Sequence, residues 1–290
     1  MVIGLGIGDN YIDNTPTAYT ENFSASLDGS IGCIITCANS EGVKIVAGEP
    51  GTFDTPFKPT SAISVSCWVK PNAWDMLVGN AIHAFVSNDR TGGFELGLVN
   101  TGGQNTTLRF QIGVTDDGSG AADPRGNISA TVNEATVEAL SGWKHIVGTY
   151  DGTTAKIYVN ADNSTGVTNA TSASGTTINY TTNSNVSGHK DTQVNPIAIG
   201  GNTHHGRNFH GLIDNVAIFN RALDATNVTA IYNSGNPFDL RSDSGSYNHS
   251  ANLIGFWTFE ENQGDSSEDL AGNAGVATLK GGATFSTDVV

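Results

Sequence analysis

FHGLIDNVAIFNRAL, residues 209–223, decides how this chain is read. A small-residue turn leads into an apolar run, and one acid, Asp214, stands inside that run. A carboxylate in mid-strand is a catalytic group, a metal ligand or a hydrogen-bonding strut. Each makes a different protein.

Outward from this stretch, apolar and polar residues alternate in short bursts. They are AISVSCWVK (62–70), AIHAFVS (81–87), GFELGLV (93–99), TLRFQIGV (107–114), WKHIVGTY (143–150), AKIYVN (155–160), PIAIGG (196–201) and LIDNVAIF (212–219). Period-two runs of this length, bounded by Gly, Asn and Asp, predict strands. The DG at 151–152 predicts a hairpin between two of them. One short helix is expected in RALDATNVTAIYNSG, capped by Asp224, spaced by Val228, Ile231 and Tyr232, and stopped by Gly235. Many strands without intervening helices predict an all-β sandwich or barrel. Residues 161–195, nearly all Ser, Thr, Asn and Gly, read as a polar loop or a weak edge hairpin. GNPFDLRSDSGSYNHSAN, from about residue 236, reads as a surface connection to a last strand-forming segment.

The chain of 290 residues is 38% hydrophobic and 14% charged, with 28 acids against 13 bases and a net charge of −15. Such a field repels phosphate backbones, so no nucleic-acid partner is expected. No apolar run approaches the roughly 20 residues that span a bilayer, and no basic amphipathic stretch suggests a membrane partner. MVIGLGIGDNYIDN lacks the basic start of a secretory signal. Three cysteines, Cys33, Cys37 and Cys67, make no disulfide framework and read as buried thiols. Both features predict folding inside a cell. GLGIG at 4–8 has neither the Lys-Ser/Thr nor the flanking elements of a phosphate loop, and reads as part of a glycine-rich arm over residues 1–19.

SASLDG (24–29), ISVSCWVKP (63–71), GWKHIVGTYDGTTAKIYVN (142–160), IAIGG (197–201) and FHGLIDNVAIFNRAL with its helix stand in the order that resembles the laminin-G-like jelly rolls of the concanavalin A-like lectin/glucanase superfamily. The resemblance covers residues 20–235 and implies a jelly-roll sandwich of two antiparallel sheets. IGCIITCANSEG (31–42) departs from the pattern as an insertion. GFWTFEENQGDSSEDLAGNAG resembles the segment that commonly opens such a domain, yet comes last; residues 236–290 are expected to close the same sandwich, as in a circular permutation. The fold hosts lectins, glycosidases, adhesion modules and structural parts, so it does not fix function. The Gly/Asn/Thr-rich acidic composition is similar to that of virion proteins of tailed bacteriophages. It implies a non-catalytic capsid decoration or tail-associated subunit, assembled in the host cytoplasm, with other virion proteins and further copies of itself as partners. The alternative is a carbohydrate-binding module for attachment to host or bacterial-surface glycans.

Glucanases on this fold use a strand motif E-x-D-x-x-E, with the two glutamates as nucleophile and acid/base. Centring it on Asp214 puts Leu212 and Ala217 where the glutamates belong. Neither moves a proton, so no enzyme is expected. Glu95 and the pair Glu260/Glu261 are the other acids that could form a site. Calcium, which takes six to eight oxygens, is the metal the family implies, with Asp28, Asp214 and Asp269 as candidate ligands. The alternative is that Asp214 accepts hydrogen bonds from a neighbouring loop. THHGRNFH (203–210) sets His204, His205 and Arg207 on one loop, as ligand contacts or as a solvated surface. Trp68, sharing a face with Ser64 and Ser66, and Trp74, expected to be exposed, are the aromatic candidates for stacking on sugars. Trp143, Trp257 and His145 read as inward-facing.

Overall fold

The computed structural model describes residues 20–29, 34–37, 59–74, 82–88, 93–100, 105–114, 126–171, 177–178, 180, 197–201, 207–272 and 276–290. The arm at 1–19 and the pair His204/His205 lie outside these residues.

The first strands are β1 (Ser24–Asp28), β2 (Ile34–Cys37), β3 (Ile63–Pro71), β4 (Ile82–Ser87), β5 (Phe94–Asn100), β6 (Thr106–Val114) and β7 (Gly126–Val132). After helix α1 (Glu134–Glu138) come β8 (Lys144–Tyr150), β9 (Thr154–Val159), β10 (Val167–Thr168), β11 (Ala170–Thr171), β12 (Ile197–Ile199) and β13 (His210–Phe219). Helix α2 (Ala225–Tyr232) precedes β14 (Leu253–Trp257), β15 (Ser266–Glu268), β16 (Val276–Lys280) and β17 (Thr284–Ser286).

These strands build two antiparallel sheets of a jelly-roll sandwich. The first runs β11-β9-β8-β3-β13-β1-β17, with β14 also pairing β13. The second runs β10-β7-β6-β5-β4-β12-β2-β16-β15. The insertion at 31–42 therefore supplies a strand, β2, between β12 and β16. The polar stretch after residue 160 sends β10 to the edge of one sheet and β11 to the edge of the other. Residues 236–290 contribute β14 to β17, which pair with β13, β2 and β1.

Strand periodicity assigns the faces. Ile63, Val65, Cys67 and Val69 of β3 meet Leu96, Leu98, Leu108, Phe110 and Ile112 between the sheets. Burial pushes the Cys67 thiol far up, so it stays protonated. A second apolar cluster lies outside the first sheet, where α2 and the segment after it cover Val147, Tyr158, Ala217 and Phe219 with Leu223, Val228, Ile231, Leu240 and Tyr247. Asp224 caps α2 by accepting from Asn227 N at 2.8 Å. The helix ends at Tyr232, before Gly235, because Asn233 already takes the left-handed cap conformation at φ 45°.

Gly148 of β8 faces the Phe110 ring across the core so closely that a methyl group would overlap it. Gly148→Ala is expected to lower stability by about 1–3 kcal/mol through overpacking, read by denaturant unfolding. Shortening the ring with Phe110→Leu in the same chain should recover part of that loss.

Candidate functional site

β13 has β3 along one side for its whole length. Its other side is shared: β1 pairs with residues 210–213, and β14 with residues 216–219. The two neighbours meet end to end at Asp214–Asn215, where the β3–β13 register shifts and Asn215 adopts φ 47°. A bulge of this kind re-aims a side chain. Asp214 is fully buried there. Its Oδ1 accepts from Asn215 N at 2.7 Å, and its Oδ2 is buried without a hydrogen-bond donor. Glu21, entering β1, lies against it and accepts from Asn215 Nδ2 at 2.9 Å. Glu260, leaving β14, accepts from Asn22 N at 3.1 Å and Phe23 N at 3.2 Å, clamping the two strand ends together.

Burial first, then the charge and contacting carboxyl of Glu21, push the Asp214 carboxyl well above the ordinary carboxylate range. Glu260 adds to the rise and the Asn215 N–H opposes it. The other two candidate metal ligands are not brought here. Asp28 is exposed at the opposite end of β1, in register with His210. Asp269 anchors a turn, accepting from Phe256 N at 2.8 Å and Ala271 N at 3.0 Å. Among the described residues no group of three or more His, Cys, Asp and Glu is placed to hold one metal ion. The calcium set of Asp28, Asp214 and Asp269 is thus corrected: strand register separates them.

Glu95 and Arg207 form a second polar centre, on the outer face of the nine-stranded sheet. Phe94, Leu96 and Leu98 point into the core, so Glu95 points out. It is nonetheless only 2% exposed. Arg109 of β6 donates to its Oε1 at 2.8 Å, and Arg207, whose carbonyl accepts from Ala84 N, donates to its Oε2. Arg109 Nε is buried without an acceptor. Gln111 Nε2 donates to Asn127 Oδ1 at 3.2 Å beside them. Sequence reading found Arg207 and Glu95 but not Arg109, Gln111 or Asn127. Their outward phase in TLRFQIGV and GNISATV was legible; their convergence required the pairing of Gly97 with Arg109 and of Glu95 with Gln111.

The aromatic candidates are covered. Trp68 is 4% exposed and stacks 5.8 Å from Tyr232 of α2 and 4.9 Å from His145. The Ser64/Ser66 face is no open surface: Ser64 Oγ donates to Arg221 O at 2.7 Å and accepts from Leu223 N at 2.8 Å. His145 Nε2 meets Ser66 Oγ at 2.8 Å, and burial holds its pKa down to about 3, so it is neutral. Trp74, expected outside, is 6% exposed and joins the core. Trp143 is half-buried at the sheet margin, donating to Asp288 Oδ1 at 3.1 Å, whereas Trp257 is fully buried.

Residues 49–229 match a laminin G family of the concanavalin A-like lectin/glucanases superfamily. The chain belongs to that superfamily. No curated protein matches it. Among solved structures, a candidate carbohydrate-binding protein from Bacteroides ovatus is similar over 94% of this chain, with 14% identity and a TM-score of 0.54. This chain spans 62% of that protein's length. The heptameric SAP-like pentraxin of Limulus polyphemus covers 89% of this chain and 95% of its own, at 11% identity and a TM-score of 0.45. Domains LG4-5 of the mouse laminin α1 chain cover 71% and 44%, at 15% identity and a TM-score of 0.40. At these identities the likeness to the Bacteroides protein shows the fold. Among the described residues no helix is long and apolar enough to cross a membrane.

The raised Asp214 carboxyl has a signed consequence. Its neutral form supports folding fully below the ordinary value near ~3.9, and that support is lost as pH rises through the raised value. In chelator, Asp214→Asn should therefore flatten the fall in stability as pH rises above about 4. At the higher pH it should raise the melting temperature by about 2–4 °C. Thermal unfolding monitored by circular dichroism checks this; an unchanged slope would contradict the assignment.

Proposed function

We propose that this chain is a non-catalytic carbohydrate-binding module: a jelly roll over residues 20–235, closed by residues 236–290, that takes a glycan on the outer face of its nine-stranded sheet. The observation carrying this reading is the Arg207–Glu95–Arg109 cluster. Two guanidiniums are fixed by one carboxylate, which leaves their remaining N–H groups oriented before a ligand arrives. Oriented donors on a rigid sheet bind hydroxyl-rich ligands at little ordering cost. Thr107, Gln111, Ser129 and Thr131, half-buried on the same face, and the exposed Asn127 extend the polar surface. The Bacteroides ovatus protein, which shares the fold, is itself a candidate carbohydrate binder.

Catalysis is not part of the proposal, because the acids that could serve it have structural partners. Both Glu95 oxygens accept from arginine, Glu260 holds Asn22 and Phe23, and Glu261 Oε1 accepts from Ser267 Oγ at 2.9 Å and Glu268 N at 2.8 Å. Calcium enters the proposal as a structural ion at Asp214 and Glu21, where it would replace the proton that burial otherwise forces on the pair. The second reading, a virion structural subunit that assembles with other virion proteins and with copies of itself, is favoured by the −15 charge and the Gly/Asn/Thr-rich composition.

Binding of the purified protein to a broad glycan array, with calcium and again with chelator, tests both readings. The expected result is a restricted set of hits that Arg207→Ala weakens by about tenfold, roughly 1.4 kcal/mol. Calcium should raise the melting temperature of the wild type but not of Asp214→Asn. A blank array at high protein concentration would discard the glycan reading and leave the virion subunit.

A further inference from the structure

A cavity lies on the other side of the sandwich, where the chain leaves β9 and where α2 ends. It measures about 450 Å³, within the usual ~300–1,000 Å³ of small-molecule sites. Asn160, Ala161 and Asp162 line it from the turn after β9, and Thr229, Tyr232 and Ser234 are among its lining from α2 and the turn beyond. It shares no residue with the Glu95–Arg207 cluster.

Three features of the lining point to a ligand. The first is the ring. Tyr232 stacks 5.8 Å from Trp68 and 6.0 Å from His145, which are themselves 4.9 Å apart. These distances put Trp68 and His145 on the same side of the tyrosine, which also lines the cavity. The ring is held rigidly by a buried tryptophan and a neutral histidine, and its hydroxyl makes no hydrogen bond among the described residues. The second is the backbone. Of seven non-glycine residues with positive φ among those described, Asn160, Ala161, Asn233 and Ser234 surround this one cavity. Asparagine tolerates that conformation; alanine and serine rarely adopt it, and such conformations gather at ligand sites. The third is charge. No Lys, Arg or His lines the cavity, so an anion finds no counter-charge. Asp162 spends Oδ1 on Ser164 N at 2.9 Å and Ser164 Oγ at 2.6 Å, and Oδ2 on Thr165 N at 3.3 Å.

We infer that this cavity is a separate binding site for a neutral saccharide, whose C–H face lies on Tyr232 and whose hydroxyls meet Asn160 Nδ2, Asn233 Oδ1, the Thr229 oxygen as acceptor and the Ser234 hydroxyl. The other polar atoms are taken: Asn160 Oδ1 accepts from His145 N, Asn233 Nδ2 donates to Asn236 O and Thr229 Oγ donates to Ala225 O. An aromatic platform with amide and hydroxyl groups around it matches the two-faced chemistry of a sugar ring.

Calorimetric titration of the full chain with glucose, galactose and N-acetylglucosamine tests it, with tetramethylammonium as the cationic probe. At least one sugar should bind saturably. Thr229→Phe, a substitution at an exposed helix position, should weaken that binding by about tenfold by filling the cavity. Tyr232→Phe should leave it nearly unchanged, and Tyr232→Ala should abolish it. Arg207→Ala should not alter it, which separates this site from the one on the opposite sheet. Failure of all three sugars to bind, binding indifferent to Thr229→Phe, or binding of tetramethylammonium in place of the sugars would overturn the inference.

Discussion

A buried carboxyl in the middle of β13 sets the terms for the rest of the fold. Asp214 cannot ionise alone in that position, because burial of an unpaired charge costs several kcal/mol. Its surroundings hold it in the neutral form at the point where two strands share one lane. β1 arrives with Glu21 and Asn22, β14 departs with Glu260, and the bulge at Asn215 opens the room for them. The same junction joins residues more than two hundred positions apart. Ser24 Oγ donates to Asp288 O at 2.7 Å, and Lys70 pairs with the Asp288 carboxylate at 2.5 Å. Sequence-distant strands thus close one sheet around one acid.

The two outer faces of the sandwich have different fates, and function follows from the difference. α2 and the residues after it bury the outside of the first sheet, so Trp68, His145 and the serines beside them serve packing. The nine-stranded sheet carries its arginines, amides and hydroxyls outward. Glu95 is buried there by its two arginine partners, a costly arrangement for a surface strand. Ion pairs taken from water add little net stability, so orientation of the guanidiniums is the more economical reason for the cluster.

The sandwich itself was legible, because period-two alternation survives in β3, β6 and β8 and on either side of the bulge in β13, and the five family motifs fall in order. The cap of α2 was legible from Asp224. Alternation also placed Trp68 opposite the core side of β3 correctly, but it says nothing about what covers that side. A helix more than 150 residues further on does so. Trp74 failed for the same reason: a Pro-Asn-Ala approach suggests a loop, and a loop tryptophan can still fold inward. Asp28 and Asp269 looked like partners of Asp214 because each sits by a glycine turn, whereas register sends one to the far end of β1 and gives the other two backbone N–H groups. Glu21 and Glu260, which do reach Asp214, sit in stretches without any motif. Only the sharing of one lane by β1 and β14 brings them together.

Native-state hydrogen exchange across this lane is the most direct test of the junction's role. If the Asp214 junction unites the chain, the hydrogen-bonded amides of β1, β13 and β14 should open together, at a free energy close to that of global unfolding. Substituting Glu260 with glutamine should lower protection in all three strands. Fast exchange of β14 while β13 stays protected, with β1 indifferent to the Glu260 change, would show that the C-terminal segment is an appendage and that the sandwich does not depend on it.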